Sequence, residues 1–596
     1  MFLRYTQRIK DGKEHRYWSI VENRRGADKR VIQRQVLYLG EINDSQKAAW
    51  CRSIEVFESG SGQAWQVALF PEDREAPELA EEVIHIRLDQ LQVKRPRQWG
   101  ACWLACELWQ QLRLDEFWRE RLRPSREGTD WLDILKTLVS YRLIDPGSEW
   151  RLHREWYHHS GMGDLLGRMG EAIELQSLYR CLDKLLAHKE GLFSFLTQRW
   201  RDLFHAGYEV LLYDLTSTYF ECVPPERGKR RFGYSRDKRP DCVQVVIALV
   251  ITPEGLPLAY EVMAGNTSDK TTLKAFLEKI EQQYGKVNRS WVMDRGIPTE
   301  AVLREMREAA SPVSYLVGTL RGRLTRLEKD FLKLSWAKVK DSLEVKLLPR
   351  EGELYILARS QGRRQKERAM RRRRLKRLWA RLHELQRQRV TRDELLLKLG
   401  AAKSEAGNTY RLVEVRVPKA HETVSAATFT FSLRKEKLRV AMRREGHYLL
   451  RSNLCGEDPA ILWQRYIQLT EIEAAFRNLK SDLAIRPVYH QKDSRIEAHI
   501  FVAFLAYCLF VTLQQRLRAL APGLTSRAVI EKMSSIQMVD VYLPTTDGRL
   551  LILPRYTQPE NDHQLLLQRL HLVLPPQPPP RIYQQDESLP AKSLAL

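Results

Sequence analysis

A chain of 596 residues is too long for one ordinary core, so two to four domains are expected, and its 43% hydrophobic content excludes a disordered protein. Lys and Arg number 98 against 75 Asp and Glu, a net charge of +23 with a pI near 9.6, which points to a polyanionic partner, nucleic acid first. The eight cysteines are scattered and none forms a CxxC pair; Cys102 and Cys106, one helical turn apart in an apolar stretch, read as buried thiols rather than zinc ligands. Arg4, Arg8 and Lys10 break any N-terminal apolar run, so no signal peptide is expected. The longest apolar run, Ile500 to Leu513, is too short for a bilayer and suits a core helix. The expected compartment is a reducing cytoplasm, with no membrane.

In chain order, residues 1–90 read as a small module with strand-like pieces such as VIQRQVLYLGEI, closed by the charged linker PEDREAPELAEE. Residues 97–205 have a helical period, with apolar residues three and four apart in WGACWLACELWQQL, WLDILKTLVSYRLI and SLYRCLDKLLAHKEGLFSFLTQRW. Their Arg and Trp residues are expected on the surface of a helical DNA-binding region.

The pattern changes at residue 206. EVLLYDLTSTYF (209–220), VQVVIALVI (243–251) and LPLAYEVM (256–263) read as strands, with PEG as a turn. A helical segment SDKTTLKAFLEKIEQQYG follows, then a strand SWVMD (290–294), a helix opened by Pro298 and a strand VSYLVGTL (313–320). Three strands, helix, strand, helix, strand is the order of an RNase H-like core, so the predicted fold is α/β, a mixed sheet with flanking helices. Residues 206–320 form its first part. Residues 321–455, with the Arg-rich helix QGRRQKERAMRRRRLKRLWARLHELQRQR, read as an inserted domain. Residues 456–560 return to the core, and 561–596, with PPQPPPR, read as a flexible tail.

Asp214 and Asp294 each end an apolar strand run. Charged residues are depleted in central strands because an unpaired buried carboxylate is costly. Two of them in one sheet ask for a cation, and Mg2+, which takes a few carboxylates while keeping waters and phosphate oxygens, suits the site. A third acid must come from a helix near both strand ends, and Glu471 competes with Glu473. At about 100° per residue, Tyr466, Glu473, Arg477 and Lys480 share one stripe beside the apolar stripe of Ile472, Phe476, Leu479 and Leu483, while Glu471 points away to solvent. Glu473 is the better candidate.

Here a resemblance becomes specific. Tyr466, Glu473 and Lys480 match the Y-x2-R-x3-E-x6-K signature of the insertion-sequence-four superfamily of bacterial DDE transposases, with Leu469 where the signature has Arg. DLTSTYFE (214–221) and MDRGI (293–297) resemble its first and second Asp motifs, and residues 233–269 and 495–509 resemble the stretches that link and follow them. The acids are 80 and 179 residues apart, and the longer gap falls where this group carries its insertion. DPGSEWRLHREWY is similar to the branch with long N-terminal regions.

The resemblance implies a transposase that binds the double-stranded ends of an insertion sequence, hydrolyses them to expose a 3′-OH, and transfers that end to target DNA. It implies two Mg2+ ions on Asp214, Asp294 and Glu473, with Mn2+ able to substitute, a homodimer in the synaptic complex, and a bacterial, nucleoid-associated protein. Expected DNA contacts are Tyr466, Lys480 and Arg477, with Arg477 standing in for the missing signature Arg, and Arg236, Lys238 and Arg239 from RGKRRFGYSRDKR (227–239), a segment with seven Arg or Lys that also fits a solvated hairpin. The face of the 363–378 helix fits DNA backbone or a plain charged surface. Trp291 and Trp463 are expected in the core, and His447, His490 and His499 lack the spacing of metal ligands. An endonuclease with the same core but no strand transfer, and a non-catalytic DNA-binding repressor, remain as alternatives.

Overall fold

A computed structural model describes residues 2–10, 13–25, 31–42, 46–47, 86–168, 173–285, 289–294, 297–309, 312–319, 321–340, 342–388 and 390–584. The linker PEDREAPELAEE, Arg295, Gly296 and residues 585–596 lie outside them.

The N-terminal module is a meander of β1 (Phe2–Lys10), β2 (Lys13–Arg25) and β3 (Val31–Gly40), paired antiparallel in that order. Its Ile20, Val36, Leu37 and Leu39 are buried, and Arg34 pairs with Glu560 at 2.7 Å, so the sheet leans on the C-terminal part of the chain. Strand β4 (Gln92–Gln98) precedes a helical region whose longer helices are α1 (Gly100–Gln111), α2 (Trp131–Ile144), α3 (Leu175–Leu185) and α4 (Lys189–Phe204).

The catalytic-type motifs fall on β5 (Val210–Phe220), β6 (Val243–Ile251), β7 (Pro257–Ala264), α5 (Asp269–Tyr284), β8 (Ser290–Met293), α6 (Glu300–Glu308) and β9 (Ser314–Gly318). This is the predicted order. Helix α6 begins two residues after Pro298, where the Thr299 hydroxyl caps it by accepting the Val302 amide. Next come β10 (Ala337–Lys340), β11 (Leu343–Arg350), β12 (Glu353–Ser360), α7 (Gln361–Arg387), α8 (Arg392–Ala406), β13 (Val413–Arg416), β14 (Thr430–Leu433) and β15 (His447–Ser452). The chain closes with α9 (Pro459–Ile467), α10 (Leu469–Arg477), α11 (Asp493–Leu520), α12 (Ser526–Met533), β16 (Gln537–Pro544), β17 (Arg549–Tyr556), α13 (Asn561–Arg569) and β18 (Arg581–Gln584).

The fold is mixed α/β around a nine-stranded sheet of order β10-β11-β12-β15-β9-β8-β5-β6-β7. Strands β5, β8 and β9 are parallel and the other pairings antiparallel. One face packs under α5 and α6 through Phe276, Ile280, Leu303 and Met306. The other is covered by α11, whose Phe504 ring stacks on Tyr260 of β7 at 3.9 Å between centroids. Helix α11 is long and apolar enough to cross a membrane, but 94% of its most apolar window is buried inside the protein, which makes it a core helix.

Three sequence-based boundaries need correcting. The segment 321–455 is not a body apart from the sheet, because β10, β11, β12 and β15 extend it beyond β9. Only α7, α8, β13 and β14 build a core of their own, around Leu378, Leu382, Leu385, Leu395 and Phe429. The helices of 97–205 pack on α11: Trp118 meets Phe501, and Trp200 donates its Nε1–H to the Thr512 hydroxyl at 3.3 Å. Their Trp residues 99, 103, 109, 118, 131, 156 and 200 are therefore interior, with Trp150 exposed. Finally, 561–584 is no loose tail. Strand β18 closes a four-stranded sheet of order β18-β17-β16-β4, which takes 537–556 out of the core unit and joins them to residues before α1. Arg97 on β4 holds that junction, pairing with Asp540 at 2.9 Å and Asp164 at 2.7 Å.

Candidate active site

Strands β5 and β8 run parallel with Tyr213 opposite Met293, so Asp214 and Asp294 are the next residues along two neighbouring strands. Alternation fixes the face of Asp214, which is within β5. Leu211, Tyr213 and Met293 belong to the core under α5 and α6, Leu212 and Val292 to the core under α11, and Asp214 continues the second series. Strand β8 stops at Met293 while β5 runs on to Phe220, so among the described residues β5 from Asp214 onward has β6 as its strand partner and no strand paired on the β8 side. That notch explains how a carboxylate can sit in mid-strand. Asp214 is half-buried, its Oδ1 accepting the Leu215 amide at 2.8 Å, and Asp294 is exposed.

The third acid stands on α10, which packs on β5. Leu469, Ile472, Ala475 and Phe476 are buried, and Glu473 and Arg477 are exposed. The continuous helix implied by placing Tyr466, Glu473, Arg477 and Lys480 on one stripe is interrupted. The chain breaks at Gln468 between α9 and α10, and residues 478–482 widen into a π-helical turn, so Tyr466 and Lys480 are off the ideal wheel of Glu473. Glu471 is not free in solvent either: its carboxylate pairs with Arg518 of α11 at 2.7 Å.

The neighbouring positions divide into exposed groups and groups already engaged. Tyr466 packs in an aromatic cluster with Trp463 and Tyr448, at 6.2 and 6.0 Å between centroids. Trp291 is buried against Tyr213, and Trp463 is partly buried. Lys480 pairs with Asp237 at 2.9 Å, and Asp237 also holds Arg486 at 2.6 Å, so the turn after α10 is tied to the 227–239 segment. Burial pushes the Lys480 ammonium below its ordinary value, and Asp237 opposes that shift.

Within 227–239 most cations serve the fold. Lys229 pairs with Glu497, Arg230 donates to the Gln491 carbonyl, and Arg239 is held by Glu221 at 2.7 Å and Asp241 at 2.9 Å. Arg236 is half-buried, with its backbone amide on the Ser217 hydroxyl of β5, and Lys238 is exposed. Phe232 and Tyr234 stand exposed among them, a feature the interleaving of aromatics with Arg and Lys in the sequence could have signalled.

Asp214, Asp294 and Glu473 offer carboxylate oxygens, the donors a hard divalent cation takes. They are not drawn onto one point. Among the described residues, the group of three whose ligand atoms all lie within 4.8 Å of one another is Glu149, His490 and His499. The fold thus assembles two histidines whose sequence spacing suggested no partnership. Glu149 Oε1 lies 3.2 Å from His490 Nε2 and 3.0 Å from His499 Nδ1. Arg142 Nη2 lies 3.5 Å from His499 Nδ1, while Arg142 Nη1 donates to the Ala484 carbonyl. With a guanidinium in place to balance the carboxylate, this is a buried ionic network rather than a cation site. It pins the loop that follows the Glu473 helix to α2.

Residues 206–509 match the family Transposase DDE domain, and residues 3–55 match IS1634 family transposase, N-terminal domain. Among solved structures, the piggyBac transposase in a synaptic complex with hairpin DNA, determined by cryo-EM, aligns at 9% identity over 72% of this chain and 79% of that chain, with a TM-score of 0.34. No curated protein matches. The domain match runs from the start of β5 through both Asp strands and the Glu473 helix into α11, about half of the chain: the protein belongs to the DDE transposases and is a bacterial insertion-sequence transposase.

Proposed function

We propose that this transposase cleaves the ends of its insertion sequence and joins them to target DNA on an RNase H-like core, with Asp214, Asp294 and Glu473 as the metal-binding acids. The carrying observation is the parallel register that brings Asp214 and Asp294 each one residue past the paired Tyr213 and Met293, with α10 packed on β5. The order β7-β6-β5-β8-β9, with β5, β8 and β9 parallel, supports the fold assignment.

DDE transposases use divalent metal ions, and Mg2+, as a pair with Mn2+ able to substitute, fits an all-carboxylate donor set. Bound there, such ions would stabilise charge on the attacking and departing oxygens of the scissile phosphate. Water forms a bond to phosphorus as the P–O3′ bond breaks, leaving a free 3′-OH. That 3′-OH then attacks a target phosphodiester, one P–O bond forming as another breaks. The protein residues fix the geometry: Arg236 and Lys238 flank the β5 side, Arg477 lies one turn beyond Glu473, and Lys480 holds the 227–239 segment through Asp237. Arg239 must exchange Glu221 and Asp241 for phosphate, and Tyr466 must act from within its aromatic cluster. Two protomers in the synaptic complex, acting in the bacterial cytoplasm at the nucleoid, complete the reading.

The test is a strand-transfer assay with Mg2+, a duplex carrying the terminal repeat, and a supercoiled target plasmid. Joined products support the proposal. Cut ends without joining would leave an endonuclease, and binding without cutting a repressor.

A further inference from the structure

The chain's charge is concentrated in one place. Residues 361–444 hold 25 Lys and Arg against 8 Asp and Glu, a net +17 out of +23 for the whole chain. They contain the helical unit with its own core, and α7 is its spine. The helix buries Leu378, Leu382 and Leu385 against α8 and Phe429. Several of its cations are neutralised internally: Arg363 by Glu367 at 2.9 Å, Arg371 by Glu445 at 2.5 Å, and Arg381 by Glu384 at 2.6 Å.

The cations opposite the leucine stripe differ. Lys366, Arg372, Lys376 and Arg377 are exposed and make no ion pair within 4.0 Å among the described residues. On an ideal helix they fall within an arc of about 140° centred opposite Leu378 and Leu382, and they span roughly 17 Å of axis. A duplex presents about ten phosphate charges over that length. Bare like charges crowded along one face repel one another and gain nothing for the fold, so the face is shaped for a polyanion rather than for stability.

We propose that this face of α7 is a duplex-DNA backbone site, separate from the carboxylate notch, that grips phosphates without reading sequence. The inference rests on the transposase reading for its ligand class. The shared chemistry is the phosphate backbone, and the two sources are the element's end and the target.

The experiment uses the full chain, with binding measured by fluorescence anisotropy on two duplexes of equal length, one with the terminal repeat and one unrelated, across a salt series. The triple variant Arg372→Gln, Lys376→Gln, Arg377→Gln is compared with wild type and with Arg381→Gln, whose charge is already paired. The expected result is that the slope of log K against log salt falls in magnitude by about 2.7 for the triple variant on both duplexes, roughly 0.9 for each phosphate no longer neutralised, and does not change for Arg381→Gln. Thermal melts matching wild type show that all variants fold. A fall confined to the terminal repeat would assign the face to the element's end, and an equal fall on both to sequence-independent binding that includes the target. An unchanged slope in a folded triple variant overturns the proposal and leaves the face for a different partner. Wild-type protein that fails to cut the terminal repeat would instead count against the proposed chemistry, whichever way the slopes fall.

Discussion

The Glu471 carboxylate lies 2.7 Å from the guanidinium of Arg518, while Glu473, two residues on, faces solvent on the helix that packs on β5. Two acids in one turn are thereby given different work: one ties α10 to α11 and the other is available to a ligand. Glu473→Gln is expected to abolish end cleavage, and Glu471→Gln to leave it within a few-fold of wild type. A partly exposed ion pair contributes under about 1 kcal/mol, so the second variant should also melt close to wild type. Nicking with Mg2+ checks both, and an active Glu473→Gln beside a dead Glu471→Gln would reverse the assignment.

Asp214 and Asp294 are expected to behave alike, because each directly follows one of the paired residues Tyr213 and Met293 on adjacent parallel strands. Asn at either position should lower cleavage by roughly a thousandfold, the several kcal/mol of charge stabilisation that metal-bound carboxylates supply. DNA affinity measured with Ca2+ should stay near wild type, since binding rests on the basic surface. Equal losses of binding and cleavage would mean that the two Asp residues hold the fold instead.

How far the sequence could be read depended on the range of the interaction. Strand alternation and apolar runs are local, so β5 to β9 and their helices appear in the order expected, and Glu473 is exposed beside the short buried stripe Leu469, Ile472, Phe476. Contacts between distant segments are not local. Nothing near Gln92 announces that it pairs with Tyr542, and nothing in 447–452 announces that β15 joins β9 and prolongs the sheet. The Trp residues of the 97–205 helices looked exposed because a stripe of Trp has the same period on a surface as against α11. The ideal wheel failed for Tyr466 and Lys480, which are separated from the Glu473 helix by the turn at Gln468 and by the π-helical turn after Arg477.

The Glu149 network predicts an acid-sensitive link between the N-terminal helices and the loop after α10. Burial alone would raise the Glu149 carboxyl, but His499 and His490 hold it well below its ordinary value of 4.5. A depressed folded value stabilises the protein above the unfolded value, and that stabilisation is lost as pH falls through the folded one. Wild type should therefore lose stability below about pH 4.5, and part of that loss should vanish in Glu149→Gln. Glu149→Ala leaves Arg142 buried without its acid and is expected to cost about 3–5 kcal/mol at neutral pH. Urea melts across pH check this, and identical pH profiles for wild type and Glu149→Gln would remove the network from the stability account.

Gly265 lies where the basic segment crosses the sheet. A Cβ there would sit 2.0 Å from the Gln244 carbonyl oxygen and 2.3 Å from that of Arg231, both backbone atoms that cannot swing aside. The Gly265 amide also donates to the Lys229 carbonyl at 2.9 Å. Gly265→Ala is expected to destabilise the protein by about 1–3 kcal/mol and to shift residues 229–236 away from β5. Weaker DNA binding together with a lower melting temperature is the expected pair of results. A fully stable and active variant would show that the segment tolerates displacement.

Arg477 is the remaining exposed cation on the Glu473 helix. The signature position filled by Leu469 cannot supply a charge, since Leu469 is buried in the core. Arg477 is one turn beyond Glu473 and exposed, and it makes no ion pair within 4.0 Å among the described residues, unlike Lys480 with Asp237. Its planar fork can hold a phosphate through two parallel hydrogen bonds, a geometry an ammonium does not reproduce. Arg477→Ala is expected to lower end cleavage and strand transfer by about tenfold to a hundredfold, the 1.5–3 kcal/mol of a hydrogen bond to a charged group, and Arg477→Lys to recover only part of it. Both variants should melt close to wild type, because the guanidinium is exposed and makes no ion pair within 4.0 Å among the described residues. If both cut and join at wild-type rates, phosphate is held elsewhere, and the basic segment around Arg236 and Lys238 becomes the place to look.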